Sequence, residues 1–105
     1  MIPGRLLAFT VAIAIASFAQ SSSARAADCW PQIRKLIAEH LGVEPAKVTR
    51  RRTFEQLGAD GLDRVEIIMM LEEEFEIEIA DDVAEELISV EATIAYVNRQ
   101  SKKCR

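Results

Sequence analysis

The chain has 105 residues, half of them hydrophobic, with 13 basic and 17 acidic side chains, one histidine and two cysteines. That length accommodates one small domain and no more. Its acidic balance argues against nucleic acid and anionic membrane surfaces as main partners, because both repel a negative protein.

Met1 to Ala27 has the layout of a secretory signal peptide rather than of folded structure. Arg5 forms a positive n-region, Leu6 to Ala19 is uncharged and mostly apolar, Gln20-Ser21-Ser22-Ser23 is a polar spacer, and Ala24-Arg25-Ala26 fits an A-x-A cleavage site. The apolar stretch is well short of the roughly 20 residues that span a bilayer, so cleavage is expected in place of a stable membrane span. A lipoprotein signal using Cys29 is disfavoured by Asp28, where a small uncharged residue belongs, and would leave Cys104 alone. Removing residues 1–26 leaves a 79-residue domain, 27–105, and takes Arg5 and Arg25 with it, so 11 basic side chains face 17 acidic ones, a net of -6. Basic protein surfaces are the natural complement of such a domain, and the bacterial periplasm is the expected compartment.

Cys29 and Cys104 lie close to the two ends of the mature chain. In an exported protein an even pair reads as a disulfide, whereas in cytosol it would suggest metal or redox chemistry. The bond would enclose 74 residues and stabilise the fold by on the order of 4 kcal/mol in the chain-entropy model.

The remaining pattern is helical, with no clear alternating strand. A first helix is predicted from Trp30 or Pro31 to Leu41, with Pro31 in the first turn, Gly42 just past the end, and Ile33, Leu36, Ile37 and Leu41 at helical spacing. The connection from Val43 to Ala59 contains Pro45 and the run Arg50-Arg51-Arg52, and its length calls for Phe54 and Leu57 to anchor it as an ordered loop. A second helix is predicted over Gly61 to Phe75, with Asp60 as N-cap and Asp63 three residues on, carboxylates suited to the positive helix terminus. A short third helix near Asp82 to Leu87 opens on Asp82 and Glu85, a pattern resembling a capping box. A fourth begins after Ser89, runs to about Arg99 and buries Ile94 and Val97.

The apolar residues of the second helix fall on two arcs. Ile67, Ile68, Leu71 and Phe75 cluster as a core face should, while Leu62, Val65 and Met69 form a separate strip bordered by Glu66 and Glu73 on one flank and Glu72 on the other. Such a strip suits a partner with an apolar groove rimmed by Lys or Arg. Periodicity alone equally allows these three residues to pack beneath a neighbouring helix or the long loop.

Residues 57–75, from Leu57-Gly58-Ala59-Asp60-Gly61-Leu62-Asp63 through Glu72-Glu73-Glu74-Phe75, closely resemble the core motif of acyl carrier proteins. The resemblance extends to Leu41-Gly42-Val43, to Phe54-Glu55-Gln56-Leu57, to Ile77-Glu78-Ile79-Ala80-Asp81 and to Ser89 through Val97, and so covers nearly the whole mature chain. It implies an all-α, four-helix carrier bundle of three longer helices and one short one, whose second helix recognises partner proteins; a monomer is expected. By position, Asp60, Asp63, Glu66, Glu72 and Glu73 match the acidic contacts that the family offers to basic partner enzymes.

Three departures stand out. The family motif centres on Asp-Ser-Leu, with the serine carrying phosphopantetheine, but the triplet here is Asp60-Gly61-Leu62 and no serine or threonine lies between Thr53 and Ser89. Glycine supplies no oxygen for the phosphodiester, so no covalent cofactor is expected. The export signal separates the chain from cytosolic coenzyme A and the modifying transferase. Arg64 and Arg50 to Arg52 put positive charge beside a surface that the family keeps acidic, the run being either a solvated loop or a contact for an anionic group.

No catalytic constellation can be assembled, so an enzyme is not expected. His40 reads as a surface residue, Glu72-Glu73-Glu74 as a solvated helix face, and Asp60 to Glu66 lacks the spacing of a calcium loop, so no metal site is expected beyond weak, nonspecific attraction of divalent cations to the clustered carboxylates. The favoured function is an exported interaction module that recognises a basic-surfaced protein through Asp60, Leu62, Asp63, Val65, Glu66, Met69, Glu72 and Glu73, that partner belonging to acyl transfer or lipid processing. The alternative is a noncovalent acyl or lipid carrier, with Ile68, Leu71, Phe75 and Ile94 as lining residues, or a carrier in fatty-acid metabolism.

Overall fold

A computed structural model describes residues 28–104 of the chain; the signal peptide and cleavage site expected from sequence lie outside the described residues. Four α-helices follow one another: α1 (Trp30–Leu41), α2 (Gly61–Phe75), α3 (Asp81–Glu86) and α4 (Val90–Gln100). Two 3₁₀ turns, Pro45–Lys47 and Lys102–Cys104, complete the regular structure, with an isolated antiparallel bridge between Thr53 and Ser89. The described residues thus form an all-α bundle.

One apolar core joins all the long elements. Ile33 and Ile37 enter it from α1, Ile67, Leu71 and Phe75 from α2, and Val90, Ile94 and Val97 from α4. These are the helical-period positions, spaced so that each helix turns one stripe inward. Gly42 ends α1 in the left-handed conformation at φ 69°, where a side chain would be strained, and its N–H reaches the Ala38 carbonyl. Glu76 performs the same office for α2 at φ 56°, although it carries a Cβ.

The connection between α1 and α2 is ordered as its apolar residues require. Phe54 and Leu57 are buried as anchors, and Val48 is a third. Its backbone also finishes α4: the Val90 and Glu91 N–H groups donate to the Arg52 and Arg50 carbonyls at 2.9 and 3.0 Å, and Ala92 N–H donates to Ser89 Oγ at 3.1 Å. The first turn of a helix has N–H groups without intrahelical partners, and these contacts satisfy three of them. The arginine run therefore contributes through its main chain. All three arginines are exposed, but Arg50 also stacks over Trp30 and pairs with Asp28 at 3.3 Å, so it is not a merely solvated residue.

The short third helix departs from expectation. It runs Asp81–Glu86 with Ala80 as N-cap and no side-chain capping bond. Asp82 lies inside the first turn, with its carboxylate accepting from Val83 N–H at 2.9 Å, so it cannot serve as the cap of a box with Glu85. Asp81 and Asp82 instead place negative charge at the positive end of the helix.

Cys29 and Cys104 form a disulfide with Cα atoms 5.3 Å apart and 75 residues of separation. The bond ties the start of α1 to the turn that follows α4. Around it, Cys29 N–H donates to Asn98 Oδ1, and Asn98 Nδ2 donates to Asp28. Chiefly that hydrogen bond from Asn98 holds the Asp28 carboxyl below its ordinary value. Ser101 Oγ donates to the Phe75 carbonyl at 2.7 Å and Lys103 Nζ to the Glu74 carbonyl at 3.1 Å, so the C-terminal segment satisfies acceptors at the end of α2.

Candidate functional site: the outer face of the second helix

The start of α2 is fixed by a reciprocal capping box. Asp60 Oδ1 accepts from Asp63 N–H at 2.8 Å, and Asp63 Oδ2 accepts from Asp60 N–H at 3.1 Å. The bond from the Asp63 backbone is the leading cause that lowers the Asp60 carboxyl from its ordinary value, because it favours the charged form. Glycine opens a helix poorly, and this box holds Gly61 at the first helical position.

Gly61 is not there for want of space. A Cβ built on it meets nothing within 4 Å, and its φ lies outside the left-handed range. Backbone geometry at this position accepts any L residue, so the missing hydroxyl is a chemical difference and not a steric necessity.

From Gly61 onward the two arcs separate as they must on a packed helix. Ile67, Leu71 and Phe75 are buried, while Leu62 is 66%, Val65 54% and Met69 59% exposed. The packing alternative left open by periodicity is thereby removed: the strip is solvent-facing. Ile88 adds a fourth exposed apolar residue, and it lines a small hollow together with Gly61, Asp60 and Arg64. It sits in the connection between α3 and α4, where no helical period could have singled it out.

The strip is a ridge between two grooves, both of which Met69 lines. One, of about 530 Å³, lies toward α3 and includes Gly61, Val65, Ile68 and Ala84. The other, of about 1010 Å³, includes His40, Glu66, Met70, Glu73 and Tyr96. Of the eight residues assigned to partner binding, Asp60, Leu62, Val65, Met69 and Glu73 are exposed and Asp63, Glu66 and Glu72 are half-buried. Glu72 has an internal task, since its Oε2 accepts from Ile79 N–H at 2.8 Å and pins the segment leading into α3. Arg64 points its guanidinium at the Ala84 carbonyl, 3.3 Å away, and so braces α3 as well.

His40 is more than a surface residue. Its Nε2 lies 3.0 Å from Glu66 Oε1 and 3.6 Å from Asp63 Oδ1, linking the last turn of α1 to the first turns of α2. The sequence hides this contact because its partners stand more than twenty positions away.

A family model described as PP-binding, phosphopantetheine attachment site, matches residues 31–97, which span α1 to α4 almost entirely. The chain belongs to this carrier-domain family. Its helical bundle agrees with that membership, and carrier domains of this kind are not themselves catalysts. The residues at the attachment position do not fit the group that the family name describes: in the Asp60-Gly61-Leu62 triplet the central residue bears no hydroxyl. Thr53 Oγ1, a loop hydroxyl upstream, accepts from Gln56 N–H in its own turn. Among the described residues no helix is long and apolar enough to cross a membrane.

Proposed function

We propose that this carrier domain is an exported protein-recognition module that docks a basic-surfaced partner through the outer face of α2 and carries no phosphopantetheine. The observation that supports this reading above all is the exposure of Leu62, Val65 and Met69 on a helix whose flanks carry Asp60, Asp63, Glu66 and Glu73. An apolar centre with a charged rim is the usual anatomy of a docking patch: the centre supplies desolvation and the rim steers approach. The partner is a protein of acyl transfer or lipid processing. Residues 1–26 act as a cleaved export signal, and the Cys29–Cys104 bond is compatible with an oxidising compartment such as the periplasm.

The noncovalent lipid reading has less support. Leu71, Phe75 and Ile94 belong to the core, and only Ile68 of the four lining candidates borders a groove. A bundle of this size needs those buried side chains for its own stability.

The test places a photoreactive residue at position 69 of the exported chain, with position 35, exposed on α1, as the control. Illumination should give a discrete protein adduct from position 69 that weakens as salt rises and is absent from position 35. Equal labelling from both positions would remove the docking patch, and a lipid adduct at position 69 would favour the carrier alternative.

A further inference from the structure

We infer that His40, Asp63 and Glu66 form a binding site for a divalent transition-metal ion of the zinc type, at the junction of α1 and α2. The inference is independent of the partner proposed above and departs from the expectation, drawn from sequence, that the chain has no metal site. One candidate donor atom from each residue lies within 4.8 Å of the others. His40 Nε2 stands 3.0 Å from Glu66 Oε1 and 3.6 Å from Asp63 Oδ1. Nitrogen and oxygen ligands about 2.1 Å from zinc are about 3.4 Å from each other at the tetrahedral angle and about 3.0 Å at a right angle. These two separations bracket the tetrahedral value, and the donor atoms of the two carboxylates lie within 4.8 Å of each other, so side-chain torsions that draw them together would complete a three-ligand site.

Three features set this group apart from the acidic residues elsewhere on the chain. The donors come from two helices, so the bundle fixes their separation. The His40 side chain is only 19% exposed, and its Nε2 faces both carboxylates at once. A neutral imidazole has at most one proton at that nitrogen and can donate to just one of the two oxygens, whereas a cation engages all three ligands together. Asp63 is also held in place: its Oδ2 accepts from Asp60 N–H, which leaves Oδ1 turned toward His40.

Charge and ligand type define the class of ion. Two carboxylates with a neutral imidazole carry a net of -2, matching a divalent cation. The nitrogen ligand favours zinc and its neighbours over magnesium or calcium, which take oxygen ligands. The groove that His40 and Glu66 line gives room for water or a partner's side chain to complete the coordination. Occupancy would cancel two of the negative charges on α2.

The test uses the chain purified without a polyhistidine tag, disulfide intact and stripped by a chelator. Titration with Zn²⁺ should show one saturable equivalent by calorimetry, and Co²⁺ should give a visible absorption band while broadening the His40 imidazole resonances. His40→Gln and Glu66→Gln should each weaken binding by at least about tenfold, the lower range for losing even a hydrogen-bond partner of a metal ligand. The double variant Glu85→Gln, Glu86→Gln, on exposed positions of α3, should bind as the parent does. Circular dichroism checks that each variant keeps its helices, and Glu66→Gln, at a rim position, tests the site even if His40→Gln unfolds. Absence of saturable Zn²⁺ uptake overturns the inference. So does equal weakening in the Glu85/Glu86 variant, which would mean diffuse attraction to an acidic surface.

Discussion

Met69 and Leu71 are two positions apart on α2, yet truncating each to alanine should give opposite results. Leu71 is completely buried among residues from the other helices, and replacing a buried leucine by alanine costs about 2 to 5 kcal/mol through lost burial and the cavity left behind. A domain of the described length, residues 28–104, has a total stability of roughly 4 to 12 kcal/mol. Leu71→Ala should therefore consume a large fraction of it, lowering the melting temperature by roughly 10 to 25 °C at a mid-range cost of about 3 kcal/mol. Met69 is 59% exposed, and alanine is at least as good a helix former, so Met69→Ala should stay within about 0.5 kcal/mol of the parent. Urea unfolding followed by circular dichroism, disulfide intact in both variants, reads the difference as a shift in midpoint at constant slope. A Met69→Ala loss comparable to that of Leu71→Ala would place Met69 in the core and remove the docking ridge with it.

Reduction of the Cys29–Cys104 bond should lower thermal stability, since opening a loop of 75 residues costs up to about 4.5 kcal/mol in the chain-entropy model; an unchanged melting curve in reductant would show that the hydrogen bonds of Asp28 and Asn98 hold the ends unaided. Incubation with coenzyme A and a broad-specificity phosphopantetheinyl transferase should add no mass to the parent chain, whereas Gly61→Ser should gain one arm, because the new side chain projects into open space. Modification of the parent would refute the cofactor-free reading, and failure of Gly61→Ser would show that the surface has lost transferase recognition too.

The helices and core were legible because their signals are local. Pro31 and Gly42 bracket α1, Asp60 and Asp63 mark the start of α2, and the period of Ile67, Leu71 and Phe75 assigns the buried face. The exposure of Leu62, Val65 and Met69 was only half legible: period separates them from the core arc, but whether a neighbour covers them is a tertiary question. Three features depended on distance along the chain and left no local signal. Glu72 binds Ile79 N–H because the connection after α2 folds back; Arg50 and Arg52 cap α4 through carbonyls that every residue possesses; His40 meets Glu66 only once α1 packs on α2. The false start at Asp82 has a similar cause, since aspartate at either of two adjacent positions suits a helix terminus and sequence cannot say which peptide turns first.

What holds this fold together and what it displays are largely different sets of residues. The disulfide, the Ser101 and Lys103 contacts and the loop caps on α4 all lie at the ends of helices. The apolar residues of the α2 ridge bury little, so their chemistry is free to change without cost to the bundle. Gly61 stands at the start of that ridge in unstrained backbone with open space before it. The capping box offsets its poor helix-starting tendency, so a hydroxyl can be absent there while the helix still begins at the same residue and presents the same face. The residue at position 61 and the exposure of the α2 face are therefore physically separable, which is what the proposed recognition role without an attached group requires.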